Sequence, residues 1–173
     1  PADALASRQS HTRFVSLSTA ATNQPLRITL VWTDPPGNPA ASLKLVNNLD
    51  LVVTNLGTGN VFFGNDIPPG SGFNQPWNTS TPPNLDVVDN VENVYLSPAL
   101  ATNYSVTVIA RSVNVNAVTA RTNSVVQDYA LVISSGDGQV ANALTVTDAP
   151  LVSTTSTSVT FITNSFAPGQ GIS

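Results

Sequence analysis

No stretch of this chain sustains apolar residues at a 3.6-residue period. Val and Thr dominate, and apolar residues either alternate or form short runs. A chain patterned this way has no helical faces to bury, so its core must come from sheets. Strands are expected over 12–19, 26–33, 49–54, 60–63, 91–97, 104–111 and 128–134, with weaker candidates at 143–147 and 157–163. Turn chemistry separates them: "DPPGNP" at 34–39, "NLGTGN" at 55–60, "DIPPGSG" at 66–72 and "SGDG" at 135–138. Pro and Gly crowd 64–83, which predicts a long surface loop. Many short strands with such turns predict an all-β fold, an antiparallel β-sandwich or jelly roll. The jelly-roll domain is expected over 1–138. Residues 139–173 turn Ser/Thr-rich and read as a further strand, a linker or the start of a following module.

Composition narrows the function. The 173 residues include 41 % hydrophobic ones, enough for a sizeable core. Charged residues make up only 9 %, and the net charge is −4. Arg8, Arg13, Arg27, Lys44, Arg111 and Arg121 are scattered, so no basic run exists for nucleic acid. Apolar runs are too short to span a membrane as a helix. With neither Cys nor Met, disulfides and thiolate metal sites are excluded. The surplus of Thr, Ser, Asn, Pro and Gly suggests a secreted, bacterial protein. The opening "PADALASRQS" has no signal-peptide pattern, and the chain reads as a fragment of a longer precursor. "NTS" at Asn78 and "NYS" at Asn103 are sequons of a kind expected by chance in such a composition.

The acidic residues are unevenly placed. Six of the ten, Asp34, Asp50, Asp66, Asp86, Asp89 and Glu92, lie within 34–92 among many Asn residues. Carboxylates and amide carbonyls are the hard oxygen ligands that Ca²⁺ takes, roughly six to eight per ion. If the 49–54 and 91–97 strands lie side by side, Asp50 and Glu92 repel unless a cation or a proton intervenes. The expected metal ligands are Asp34, Asn48, Asp50, Asp89, Asn90 and Glu92. Against this stands the role of Asn and Asp as anchors of turns and backbone groups.

Other chemistry finds little support. His11 is the sole His, with no "GxSxG" elbow anywhere, so no Ser-His-Asp triad and no catalytic residue is expected. Asp50 and Glu92 could form a glycosidase pair, but nothing beyond the presence of two acids favours it. Trp32 ends an apolar strand and should pack in the core. Trp77 is either a sugar-stacking platform or a lid pinning its loop, and the lid is the preferred reading.

Several segments in order resemble the C-terminal β-sandwich that follows the catalytic domain in one branch of the subtilisin-like serine proteases, the oxidatively stable alkaline proteases and their relatives. They are "LVWTDPPG" at 30–37, "LVNNLDLVV" at 45–53, "GNVFFGND" at 59–66, "DNVENVYLS" at 89–97, "YSVTVIAR" at 104–111 and "QDYALVISSG" at 127–136. The plan is also similar to the P domain of kexin-like enzymes. The resemblance covers about 26–136. It implies a secreted, non-catalytic accessory domain that packs against an upstream protease domain of the same polypeptide and stabilises it. It also implies that Ca²⁺ can be carried at Asp34, Asn48, Asp50, Asp89, Asn90 and Glu92. The family's usual "NDLDL" reads "NNLDL" here, so Asn48 replaces a carboxylate. As an isolated domain the chain is expected to be monomeric. The alternative is a carbohydrate- or surface-binding jelly roll; an autonomous hydrolase is the weakest reading.

Overall fold

The computed structural model describes residues 4–43, 45–118, 123–135 and 144–148. Eight strands are present: β1 (Ser10–Leu17), β2 (Leu26–Val31), β3 (Asn48–Asn55), β4 (Val61–Phe63), β5 (Val91–Leu96), β6 (Asn103–Ser112), β7 (Ala130–Ser135) and β8 (Leu144–Asp148). A short 3-10 turn, Ala21–Asn23, links β1 to β2. The strands form a five-stranded sheet in the order β4-β3-β6-β1-β8 and a three-stranded sheet in the order β5-β2-β7. All pairings are antiparallel. Apart from the β3–β4 hairpin, every connection crosses from one sheet to the other, so the fold is an antiparallel β-sandwich.

Strand alternation makes the core. On β2, Leu26, Ile28 and Leu30 are fully buried, while Arg27, Thr29 and Val31 point outward. Tyr104, Val106, Val108 and Ala110 of β6 do the same from the opposite sheet, with Leu49, Leu51 and Val53 of β3 beside them. Trp32 is 2 % exposed and donates its indole N–H to Asn47 O at 3.0 Å, in the core role expected of it.

The seven principal strands lie where the alternation predicts them, within a few residues. The weaker candidate at 143–147 is β8, which pairs with β1 from Arg13↔Asp148 to Leu17↔Leu144. The sandwich therefore extends past residue 138 and includes the further strand expected there. The boundary position and the candidate strand at 157–163 lie outside the described residues.

The 64–90 segment has no strand of its own, yet it completes both sheets. Asn74 N donates to Tyr95 O (2.8 Å) and Asn74 Oδ1 accepts Tyr95 N–H (2.7 Å), so one residue imitates a paired strand on the outer edge of β5. Asn65 does the same with Asn93, at 2.9 Å in both directions. It adopts φ 56°, a left-handed conformation that Asn tolerates better than most residues. Trp77 N donates to Val61 O, and its ring meets Phe63 edge-on at 5.6 Å. Trp77 is thus the lid of its loop. Edges left bare would invite strand pairing with other chains.

Asn74 is 4 % exposed, and its side-chain amide also donates to Phe63 O and Asp66 O. Asn74→Ala leaves buried backbone groups unpaired and should cost on the order of 1–3 kcal/mol in urea unfolding. Asn78→Ala, on the exposed tip of the same loop, should stay within about 0.5 kcal/mol.

Candidate functional site

The most unusual chemistry lies where β4 stops. Beyond Phe63 the N–H of Leu51 has no facing strand, and the side chain of Glu92 reaches across from the other sheet to meet it. Glu92 Oε2 accepts that N–H at 2.6 Å. Glu92 belongs to the inward row of β5, opposite Leu30, and is 1 % exposed. Gly64 makes the approach possible. A Cβ there would overlap Glu92 Oε2 and lie 2.8 Å from its Cβ and Cδ.

Asp50, one residue along β3, is 2 % exposed. Arg111 donates to its Oδ2 through Nε and Nη2, both at 2.7 Å. Arg111 sits where the β3–β6 register shifts between Asn48 and Leu49, which leaves it without a direct partner on β3. Asp86 contributes a third carboxylate to the local field. Its oxygens accept Asn65 Nδ2 (2.6 Å) and the N–H groups of Val88 and Asp89. Gly64, Asn65 and residues 84–88 line an open recess of about 240 Å³ beside this cluster.

Among the described residues, three buried side-chain oxygens have no hydrogen-bond partner: Asn48 Oδ1, Asp50 Oδ1 and Glu92 Oε1. The electrostatics reflect this. Burial, and then the charges of Asp50 and Asp86, push Glu92 up to about 8, against the pull of the Leu51 N–H and Arg111. Burial also raises Asp50, with Arg111 opposing. Burial of Asp86 acts upward too, but its hydrogen bonds from Asn65, Val88 and Asp89 prevail and lower it.

Of the six expected ligands, the structure brings Asp50 and Glu92 together, with Asn48 two residues before Asp50 on β3. The other three are engaged separately. Asp34 accepts the N–H groups of Val46 (2.8 Å) and Asn47 (2.7 Å), which ties the "DPPG" turn to the start of β3. Asn90 donates to Trp32 O. Asp89 is exposed. Among the described residues, no three His, Cys, Asp or Glu side chains form a group able to hold a metal. His11 faces Tyr129 instead, with Nδ1 3.0 Å from the phenol oxygen. Arg111 and Gly64 escaped sequence reasoning, and Asp86 was counted among the clustered acids but not among the expected ligands. Arg111 closes the "YSVTVIAR" motif, and a charge at a strand end reads as solvated.

The fold and this junction define an all-β sandwich in which Glu92 is buried in the inward row of β5 and Asp50 is buried on the face of β3 that turns away from Leu49 and Leu51. No family model matches the chain. It is similar to parts of three proteins of Dictyostelium discoideum. It is 46 % identical over 70 residues to serine protease/ABC transporter B family protein tagD, covering 40 % of this chain and 4 % of that protein. For tagB of the same family name the figures are 38 % over 89 residues, 49 % and 4 %. For tagA they are 31 % over 114 residues, 64 % and 6 %. The chain thus spans about a twentieth of each relative, and the link it establishes is to a protease-related protein. These relatives are eukaryotic and lend no support to the bacterial origin suggested by composition.

The raised Glu92 makes stability depend on pH. A carboxyl whose folded pKa lies above its unfolded value stabilises fully below the unfolded value, 4.5, and that stability is lost as pH rises through about 8. In EDTA, the melting temperature should fall between pH 5 and pH 8 and then level. Glu92→Gln keeps an oxygen for the Leu51 N–H but cannot ionise, so it should flatten this limb and melt above wild type at pH 9. A wild-type profile flat from pH 5 to pH 9 rejects the assignment.

Proposed function

We propose that this chain is a non-catalytic accessory β-sandwich of a secreted subtilisin-like serine protease, packing against an upstream protease domain and stabilising it. The observation that carries the reading is the ordered set of motifs from "LVWTDPPG" to "QDYALVISSG", which forms one sandwich and lies in a chain similar to proteins named as serine proteases. No role in peptide-bond cleavage falls to any of its residues. The isolated chain should leave casein intact. Removing residues 4–148 from the natural polypeptide should shorten the half-life of its peptidase activity at elevated temperature. Unchanged heat inactivation after that deletion rules out the stabilising role.

The three orphaned oxygens favour a second property, Ca²⁺ binding at Asn48, Asp50 and Glu92. Their donor chemistry fits a hard cation, and a bound ion would supply positive charge to carboxylates that otherwise repel. Asp34, Asp89 and Asn90 take no part in this version of the site. An ion that binds only the folded chain stabilises it by RT ln(1 + [L]/Kd), about 2.7 kcal/mol at a hundredfold excess over Kd. Ca²⁺ should therefore raise the melting temperature relative to EDTA, and Asp50→Asn should remove most of the difference. Identical wild-type curves in Ca²⁺ and EDTA leave these side chains as hydrogen-bond anchors only.

A further inference from the structure

The outward row of the three-stranded sheet differs from that of its partner. At one end Val91, Val31 and Ala130 stand side by side in register, followed by Val132. Val132 is 58 % exposed and Val91 37 %. The polar groups between them are turned on one another: Thr29 Oγ1 donates to Asn93 Oδ1 (2.8 Å), and the Tyr95 hydroxyl donates to the same oxygen (3.0 Å). The Val91–Val31–Ala130 end of the face is therefore apolar, and the polar groups Thr29, Asn93 and Tyr95 next to it are bonded to one another. The outer face of the five-stranded sheet carries more hydroxyls, including the Thr12–Thr107 pair at 2.9 Å and Ser16 bonded to Asn103, around the exposed aromatic ring of Phe14 at 39 %.

What covers the apolar face is indicated by where the chain enters. Leu5 is 1 % exposed and exchanges two backbone hydrogen bonds with Gln127, at 2.8 and 2.9 Å. Gln127 lies three residues before Ala130, so the anchor is at the apolar end of the sheet and not at the Arg27 end. Polypeptide upstream of Leu5 therefore leaves the sandwich from the apolar end of this sheet. Arg27, exposed at the far end, has no carboxylate partner among the described residues.

We propose that the outer face of β5-β2-β7 is the docking surface for the domain joined to the N-terminus of this chain. The contact centres on Val91, Val31, Ala130 and Val132, with Arg27 at the rim facing a carboxylate of that domain. The inference rests on the accessory-domain reading above and adds the face that reading leaves open. An apolar patch beside a tethered neighbour needs little further binding energy, because the tether holds the neighbour at high effective concentration.

The test uses the natural polypeptide that contains this chain, with Val132→Asp, Arg27→Glu and, on the opposite outer face, Phe14→Asp as a control. Heat inactivation of peptidase activity should run about tenfold faster in the Val132→Asp protein, faster than wild type in the Arg27→Glu protein, and at the wild-type rate in the Phe14→Asp protein. The 173-residue chain carrying Val132→Asp should melt as wild type does, which separates a lost interface from a damaged sandwich. If that variant melts early, Arg27→Glu carries the test alone. Wild-type inactivation rates in both Val132→Asp and Arg27→Glu, in a protein that deletion of the sandwich does destabilise, overturn the face while leaving the accessory role intact. If deletion itself changes nothing, the underlying role falls first. Sedimentation of the chain as a dimer that Val132→Asp dissolves would make the occupant a second copy and also overturn the proposal.

Discussion

The bond from Leu51 N–H to Glu92 Oε2 links the two sheets where β4 ends and β3 would otherwise have an unpaired edge. β4 is three residues long and covers β3 only from Val52 to Thr54. Upstream of that, β3 would run as a buried strand with an unpaired edge, and a buried N–H without a partner is costly. The Glu92 side chain satisfies it from the opposing sheet, which turns a backbone deficit into a link between layers. Gly64 belongs to the same device, because its own N–H bonds to Leu51 O and its missing side chain leaves room for the carboxylate.

Asn side chains repeat this logic wherever a strand would otherwise lack a neighbour. Asn65 and Asn74 each pair with β5 through one backbone and one side-chain group. Asn47, fully buried, accepts the N–H groups of Asn114 and Val115 and donates to Val115 O and Gln127 Oε1. An amide offers both donors and an acceptor without a charge to desolvate, so it suits positions where irregular backbone passes through the interior. The abundance of Asn is therefore structural before it is anything else. Low charge density follows from the same arrangement, since neutral groups take over the pairing that ions would otherwise perform.

Alternation made the strands legible because most of them have one buried and one outward face, the signal that period-2 reading detects. Asp50 and Glu92 were expected to repel on strands lying side by side, but β3 and β5 belong to different sheets, and Glu92 approaches β3 through the Leu51 backbone instead. Asp34, Asp89 and Asn90 carried the same residue chemistry but have other partners or face solvent, and residue type alone could not separate a turn anchor from a ligand. Arg111 was hidden for a different reason. It is the residue left unpaired by the register shift, which leaves no mark in hydrophobic pattern, and it reaches Asp50 from there. The strand-imitating role of Asn65 and Asn74 likewise has no period to read.

One consequence follows from the inward row itself. Glu92 shares that row with Val94 and Leu96, and an apolar residue there would fill the space at lower desolvation cost. It would also orphan the Leu51 N–H, so the backbone demands an acceptor at this position. A carboxylate brings two oxygens to a place that needs one, and Glu92 Oε1 is left without a hydrogen-bond partner, as are Asp50 Oδ1 and Asn48 Oδ1 on β3. Asp50 Oδ1 is an acceptor as well, and Asn48 is the one of the three side chains that carries a donor, its Nδ2. Added positive charge satisfies the carboxylates: a proton on Glu92, which turns its oxygen into a donor, or a cation shared by the group. Arg111 already serves Asp50 Oδ2 and does not reach the remainder. The charge state of this cluster and the integrity of the sheet-to-sheet junction are thus one equilibrium, because the atom that titrates belongs to the side chain that closes the edge of β3.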